Sequence, residues 1–512
     1  MAKDTFYLTT PLYYTNSNPH IGHGYTTIAA DVLARFHRAT GNGRVWFLTG
    51  TDEHAQKIAD AAVAKGKTPK QFVDEIVERW KAEWRALNIS YDQFIRTTDP
   101  DHEAAVQRIF TTLQERGDIV PGKYEGWYCR TDETFWVESK LIDGRCPNPE
   151  CGRPVEWVSE DAWFFKLSAY RDRLIKHFET HPQWVRPQSS YNEMMAILQG
   201  GLEDLCVSRQ SVEWAIPVPG KPGITIYVWF DAICNYITAA GYPHDLARFE
   251  GLWPADVQLI GKEIARFHTI IWPAILMALG LPLPHKVFAN GWITMEGLKI
   301  SKSLGNIVTA DELIARYGVD GTRYLLLAQA AFGTDFSLSD EGMQRRYNAD
   351  LANDLGNLVQ RSLSMLGRYR NGIVPAVYAG SPLAAGFESA RDAVRTSLDE
   401  LDYRAALAAI WERVGALNLH VEQTKPWELS KRGDDKKLDE TLYELSEGLR
   451  WIAAFVFPFM PTAGEAVWRA LGQDGVPGRF WEQELAWGKL VAGTKTSLPP
   501  ALFPRIEAPG AA

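Results

Sequence analysis

The stretch Pro19-His20-Ile21-Gly22-His23-Gly24, close behind the apolar run Phe6-Tyr7-Leu8-Thr9-Thr10, limits what this chain can fold into more than any other feature. The run reads as a buried parallel strand, and a loop rich in Pro, Asn and Ser separates it from a stretch of helical period. Strand, tight turn and helix N-terminus in that order form an anion site, because the first backbone N–H groups of a helix lack partners and its dipole is positive there. Two imidazoles three residues apart can add hydrogen bonds to phosphate oxygens, and Gly22 lets a flat ring approach the backbone. Two histidines at a turn are equally at home on a surface or in a core, so the stretch needs a companion.

Far downstream, Lys299-Ile300-Ser301-Lys302-Ser303-Leu304-Gly305-Asn306 supplies one. It places two lysines three apart in a polar loop, with Ser301 and Ser303 as extra donors. That arrangement suits clamping a triphosphate whose charge shifts in the transition state. Alone it would be a solvated basic loop; together with the histidine turn it points to nucleotide chemistry.

Between these two stretches the pattern is α/β. A helix follows His23 through Ile28, Val32, Leu33 and Phe36 and stops at the turn signal Gly41-Asn42-Gly43. Val45-Trp46-Phe47-Leu48 is the next strand, ending near Asp52 and His54. Strand–helix–strand with short loops predicts a doubly wound parallel sheet, a Rossmann-like arrangement whose ligands sit at the carboxyl ends of strands. Thr68-Pro69-Lys70-Gln71 is a capping box opening a long helix, and Asp99-Pro100 opens another that closes at Arg116-Gly117. From 121 to 187 the period breaks and aromatic, Cys and Pro residues crowd in, marking an insertion between two halves of the sheet domain, 1–120 and 188–290. The pattern resumes with Ile224–Phe230 and Val257–Ile260 as strands, and Val287-Phe288-Ala289 reads as the last strand. The lysine-loop region, 291–340, and a nearly all-helical region, 341–512, complete the expected order. The tail after Ser497, rich in Pro and Gly, reads as an extended strap or a disordered end.

With 512 residues the chain can hold three or four domains with ample cores. No apolar run approaches the roughly 20 residues of a membrane span, and no signal peptide is visible. Five Cys, an odd number, make no disulfide framework, so a reducing cytoplasm is expected. The formal net charge of −9 argues against a dedicated nucleic-acid binder but leaves room for a local basic groove.

The histidine and lysine stretches together resemble the H-I-G-H and K-M-S-K-S signatures of class I aminoacyl-tRNA synthetases, with Ile300 where Met is commonest. Further stretches narrow the resemblance to the methionyl-tRNA synthetase family, over nearly the whole chain. Leu12-Tyr13-Tyr14 is similar to the family's Leu-x-Tyr. Trp229-Phe230-Asp231-Ala232-Ile233-Cys234-Asn235-Tyr236 is similar to its Trp-x-Asp-Ala-x-x-x-Tyr, with Ile233 where some members have Pro. Gly261-Lys262-Glu263-Ile264-Ala265-Arg266-Phe267-His268 matches its Gly-Lys-acid-Ile-x-x-Phe-His.

The resemblance implies an ATP-dependent ligase that activates L-methionine and charges methionine tRNA, initiator and elongator alike, with Mg2+. It implies a triphosphate site of His20, Gly22, His23, Lys299, Ser301 and Lys302, in which His20, His23, Lys299 and Lys302 are the catalytic groups. It assigns the methionine pocket to Leu12, Tyr14, Asp52, Trp229, Ala232, Tyr236, Ile264 and His268, and a supporting role in the carboxylate network to Arg209. Aromatic faces favour a polarizable thioether, and a desolvated ammonium needs a counter-charge, which Asp52 would supply. Asn357, Arg361 and Trp427 correspond to anticodon readers; Asn357 and Arg361, at i and i+4, lie off the apolar stripe Leu351, Leu355, Leu358, Ser362 and Met365. The insertion is too small for the editing domain that isoleucine, valine and leucine enzymes need, one methylene discriminating only about 10–200-fold. Related enzymes carry zinc knuckles in the insertion. Here Cys129, Asp132, Cys146 and Cys151 form an imperfect set, and buried free thiols rather than a metal are expected. The chain has no length for the C-terminal domain of dimeric members, so a monomer is expected.

Overall fold

The computed structural model describes residues 3–16, 18–41, 44–131, 134–136, 138–148, 151–210, 212–299, 308–479 and 481–507. These fall into two compact units, one of residues 1–18, 48–81 and 91–289, the other of residues 19–47, 82–90 and 290–512.

The first unit is organised on a six-stranded sheet in the order Gln93–Arg96, Arg44–Asp52, Thr5–Tyr14, Val257–Gly261, Val287–Asn290, Val185–Arg186. The first strand is longer than the apolar run that predicts it and carries Leu12 and Tyr14 to its carboxyl end. It pairs in parallel with Val257–Gly261, Leu8 facing Val257 and Thr9 facing Gln258. Arg44–Asp52 pairs in parallel with Gln93–Arg96, from Leu48 opposite Gln93 to Thr51 opposite Arg96. Gly50 is required there: a Cβ would sit 2.0 Å from the Ile95 carbonyl oxygen. The strand order runs outward in one direction from Thr5–Tyr14 and in the other from Val257–Gly261, so the switch lies between these two, where doubly wound sheets bind ligands.

A second sheet, antiparallel, has the order Thr134–Trp136, Ile119–Cys129, Glu156–Phe165, Leu205–Cys206; most of it lies within 121–187, although Val185–Arg186 belongs to the central sheet. Its long hairpin pairs Ile119 with Phe165 and runs to Tyr128 opposite Glu156. Two expectations are corrected here. The apolar run Ile224–Phe230 is not a strand of the central sheet: only Thr225–Ile226 is extended, pairing antiparallel with Ser208–Arg209, and a helix begins at Val228. A short continuous apolar run serves a buried helix as well as a buried strand, and Asp231 in the first turn complements the helix dipole. Nor is Val287–Asn290 the last strand. It is the last of the central sheet in sequence, but Ile293–Met295, Leu298–Lys299 and Phe336–Leu338 form a small three-stranded sheet in the second unit.

The second unit also contains the helix Ile21–Thr40, closed by Gly41 in the left-handed conformation (φ 71°), as its turn signal predicts. The Thr309–Glu312 capping box opens Ala310–Leu327, both side chains bonding the reciprocal backbone N–H groups. The helices Asn357–Arg370, Ala384–Asp399, Tyr403–Thr424 and Asp435–Val456 follow. A buried ion pair ties this unit together: Arg323 donates to Asp31 Oδ2 at 2.7 Å and to the carbonyls of Leu87, Pro458 and Phe459. As far as residue 507 the tail is a strap. Asn348 exchanges two hydrogen bonds with the Ile506 backbone (2.8 and 2.9 Å), Gln360 donates to Pro499 O, and Phe503 is buried.

Candidate active site

In the second unit His20 is the N-cap of the helix Ile21–Thr40. Its Nδ1 accepts the Gly22 N–H at 3.1 Å, and His23 Nδ1 accepts the His20 N–H at 3.1 Å. The two imidazoles thus form a reciprocal capping box, with rings 3.7 Å apart. Each Nδ1 is an acceptor, so the proton of each neutral ring sits on Nε2, a donor suited to phosphate oxygens. Burial, and then the neighbouring His20, hold His23 well below the usual imidazole range, which favours that neutral donor form. The Ile21 N–H donates to Val308 O, so the segment that follows the lysine loop is tied to this helix start. Lys299 ends the strand Leu298–Lys299; its side chain, and Ser301 and Lys302, lie outside the described residues.

The first unit holds the residues of the expected methionine pocket: Leu12, Tyr14 and Asp52 near the carboxyl ends of strands, and Trp229, Ala232, Tyr236, Ile264 and His268 on helical turns. Asp52 ends Arg44–Asp52, and its carbonyl accepts both the N–H and the hydroxyl of Thr15, at 3.1 Å each. Its carboxylate accepts the His54 N–H, while the other oxygen, Oδ1, is buried with no hydrogen-bond partner among the described residues. Burial and then the charge of Asp231 push its carboxyl well above the usual range. A buried carboxylate oxygen without a donor is costly, and a cation placed against it removes the cost.

Tyr236 and His268 are buried and linked, Tyr236 Oη to His268 Nε2 at 2.7 Å. His268 Nδ1 lies 3.0 Å from Ile264 O, a pure acceptor. The ring therefore carries its proton on Nδ1 and accepts the Tyr236 hydroxyl at Nε2. Burial lowers the imidazole to about 4 and keeps it neutral, and burial first of all keeps the Tyr236 phenol neutral by raising it. Trp229 stacks on Phe267 at 4.0 Å and 12°. Leu12, Tyr14, Trp229 and Ile264 are half-buried, as the walls of an open pocket would be, and Ala232 is buried. Arg209 is buried, donates to Ser208 O (2.8 Å) and Cys206 Sγ (3.1 Å), and lies over the Tyr227 ring at 4.2 Å. The nearby carboxylate that it influences is Glu160.

In the helical region Asn357 is exposed and Arg361 half-buried, Arg361 donating to Glu422 at 2.8 Å. Trp427, on the short helix Pro426–Arg432, is 40 % exposed. Leu351, Leu355, Leu358 and Ser362 are buried and Met365 is half-buried, so the stripe faces the core and Asn357 does not. In the insertion the sulfurs of Cys129, Cys146 and Cys151 lie within 4.8 Å of one another, with Cys129 Sγ and Cys151 Sγ 3.4 Å apart. The set is imperfect as a sequence pattern, yet its three thiols converge. Asp132 lies outside the described residues.

With this geometry in view, residues 6–363 match the sequence profile of tRNA synthetases class I (M). The chain belongs to the methionyl-tRNA synthetase family. It is 50 % identical over 516 residues to the methionine--tRNA ligase of Caldanaerobacter subterraneus subsp. tengcongensis, covering 99 % of this chain and 79 % of that one. It is 46 % identical over 511 residues to that of Thermotoga maritima, covering 98 % and 80 %. Among solved structures, the Mycobacterium tuberculosis methionyl-tRNA synthetase in complex with methionyl-adenylate aligns with a TM-score of 0.92 at 40 % identity, covering 98 % of this chain and 100 % of that one. The apo form from the same organism aligns at 0.85 and 38 % identity, covering 99 % of each.

Set beside the residues that the family resemblance implies, the fold adds a buried cluster that motif reading passed over. Asp231 sits inside the quoted Trp-x-Asp-Ala run without an assigned role, yet it grips two histidines. Its Oδ2 lies 2.7 Å from His54 Nδ1 and its Oδ1 2.8 Å from His102 Nε2. His54 was visible beside Asp52, but nothing in the sequence places His102 within reach of either.

Proposed function

We propose that the strand-end pocket of Leu12, Tyr14, Asp52, Trp229, Ala232, Tyr236, Ile264 and His268 binds L-methionine in this ATP-dependent methionine--tRNA ligase, a class I aminoacyl-tRNA synthetase. The observation that carries the assignment is the buried Oδ1 of Asp52 at the carboxyl end of its strand, without a hydrogen-bond partner among the described residues. The substrate ammonium satisfies that oxygen. The thioether meets the aromatic walls and takes one weak hydrogen bond from the Tyr14 hydroxyl, while the Tyr236 hydroxyl is held by His268 in its neutral, fixed tautomer. Arg209 acts at a distance, by holding the Tyr227 ring and the Glu160 side of the carboxylate network.

ATP enters as its Mg2+ complex against His20, Gly22 and His23, with Lys299, Ser301 and Lys302 on the leaving pyrophosphate. The methionine carboxylate attacks the α-phosphorus, the bond to the β-phosphate oxygen breaks, and pyrophosphate departs with the charge that the lysines neutralise. The terminal hydroxyl of the tRNA then attacks the methionyl carbonyl and releases AMP. Little covalent chemistry falls to the protein, so positioning supplies most of the rate. ATP–pyrophosphate exchange with each of the twenty amino acids tests the reading; stimulation by an amino acid other than methionine above methionine itself ends it.

Asn357, Arg361 and Trp427 read the anticodon of initiator and elongator methionine tRNA, Trp427 by stacking and the other two by hydrogen bonds. The three converging thiols suit zinc: a Zn–S bond of about 2.3 Å sets tetrahedral sulfurs roughly 3.8 Å apart, and these sulfurs all lie within 4.8 Å of one another. Cys129, Cys146 and Cys151 would hold it as a structural ion that pins the insertion. The enzyme acts as a monomer in the cytoplasm. The five cysteines are free thiols, which accords with a reducing compartment, and no helix among the described residues is long and apolar enough to cross a membrane.

A further inference from the structure

A buried pocket that must present a carboxylate to an ammonium has an electrostatic difficulty. The pocket excludes the water that would ionise the carboxylate, and a second acid, Asp231, is buried close by. Both effects drive Asp52 toward its neutral form. Protonated, it would offer methionine no counter-charge.

The groups around Asp52 meet this difficulty. His54, two residues on, donates its N–H to the Asp52 carboxylate and turns its ring to Asp231, Nδ1 lying 2.7 Å from Oδ2. The far ring nitrogen, Nε2, is 3.6 Å from Glu103 Oε1. His102 occupies the other Asp231 oxygen at 2.8 Å and is itself fixed by Thr238 Oγ1 at 2.7 Å. Glu53, the remaining acid on this strand end, is taken up by Arg96 through two contacts of 2.7 Å and by the hydroxyls of Thr51 and Thr98 at 2.6 Å. The Trp214 ring meets the His54 ring edge-on at 5.6 Å and donates its N–H to Glu53 O. His54 is therefore the cation placed between two buried acids. Although burial opposes its charge, Asp231 and then Glu103 and Asp52 raise its imidazole to about 10.

We propose that His54, clamped by Asp231 with His102 fixing the far oxygen, is a positioning residue that eases ionisation of the Asp52 carboxyl when the ammonium arrives. The inference deepens the methionine-site reading and rests on it. In this arrangement the Asp231–His54 pair sets the pH range over which the enzyme accepts methionine, without itself touching the thioether.

The test uses His54→Gln, which keeps a side-chain donor for Asp231 but removes the charge, with Asp231→Asn as the second variant in case the first folds poorly. Methionine KM and kcat are measured by ATP–pyrophosphate exchange from pH 6 to 9. Alongside, 4-(methylthio)butanoate, which has the thioether and carboxylate but no ammonium, is titrated as a competitive inhibitor. A nearby opposite charge moves a carboxylate by about one to three pH units. The expected result is a methionine KM raised about 10- to 100-fold at the acid end and recovering as pH rises, with kcat, the ATP KM and the inhibitor constant within about twofold. Equal weakening of methionine and the deaminated analogue at every pH would mean that His54 only packs the pocket, and would overturn the proposal. An Asp52→Asn control separates the two levels: normal methionine binding in that variant removes the ammonium site itself, whereas its loss together with a pH-independent His54→Gln defect removes only the role of His54.

Discussion

Replacing Trp427 by alanine should divide the two halves of the reaction. The side chain is 40 % exposed, so about three-fifths of its roughly 200 Å2, some 120 Å2, is covered by its own unit. At about 25 cal/mol per Å2 that burial is worth about 3 kcal/mol as an upper bound. For a unit of this size the melting temperature should fall by about 6–12 °C at most, which leaves the protein folded at 25 °C. The exposed face is the part free to stack. Base–aromatic stacking is worth about 1–3 kcal/mol per base, so tRNA-dependent charging efficiency should fall about 5- to 150-fold. Methionine-dependent ATP–pyrophosphate exchange, which needs no tRNA, should stay within about twofold. Asn357→Ala and Arg361→Ala should show the same division, and the three losses should not add if they grip one base together. Exchange and charging measured on one folded preparation decide it. Equal losses in both, tracking the folded fraction, would show that Trp427 serves the bundle and not the anticodon.

Asp52→Ala should abolish methionine activation, because the buried ammonium loses its partner at a cost of roughly 3–5 kcal/mol; near-normal exchange would remove Asp52 from the pocket. Arg323→Met should destabilise the second unit by about 3–5 kcal/mol, since it strips Asp31 and three carbonyls of a buried donor; an unchanged denaturation midpoint would contradict this. Two buried histidines should act oppositely on stability. His268 sits at about 4 when folded, below its unfolded value of about 6.5, so its contribution is present above pH 6.5 and lost as pH falls toward 4; His54, at about 10, contributes below pH 6.5 and loses that contribution as pH rises through 10. Denaturant midpoints of His268→Gln and His54→Gln across these windows should show the corresponding limb flattened, and parallel profiles would refute the assignments. Metal analysis of protein purified without chelator should give about one zinc per chain, lost in Cys146→Ser; a metal-free, fully folded preparation would leave the three thiols as packing groups.

The comparison of chain and fold separates what each determined. Local signals settled helix ends well: Gly41, Thr68-Pro69-Lys70-Gln71 and Thr309–Glu312 do in the structure what their side-chain chemistry requires, since a cap acts within a few residues. Asp52 stands at a strand end, because a parallel strand delivers its last residues to the ligand edge, while Tyr236 and His268 lie in the same unit on helices. Periodicity failed on Ile224–Phe230, where an unbroken apolar run fits a buried helix as well as a strand, and only the space beside the sheet chose between them. The tail's composition fits a strap and a disordered end equally, and only Asn348 and Gln360, more than a hundred residues earlier, account for its backbone groups. Cys129, Asp132, Cys146 and Cys151 make an imperfect sequence pattern, yet the folded chain brings the thiols of Cys129, Cys146 and Cys151 within 4.8 Å of one another. The cluster on Asp231 was the least legible. His54, His102 and Asp231 come from a strand end and two helices separated by up to 177 residues, and no local pattern records that three such elements meet. The charge state of a buried carboxylate depends on what surrounds it in space, so tertiary structure alone decided that Asp52 lies beside both an acid and the cation that offsets it.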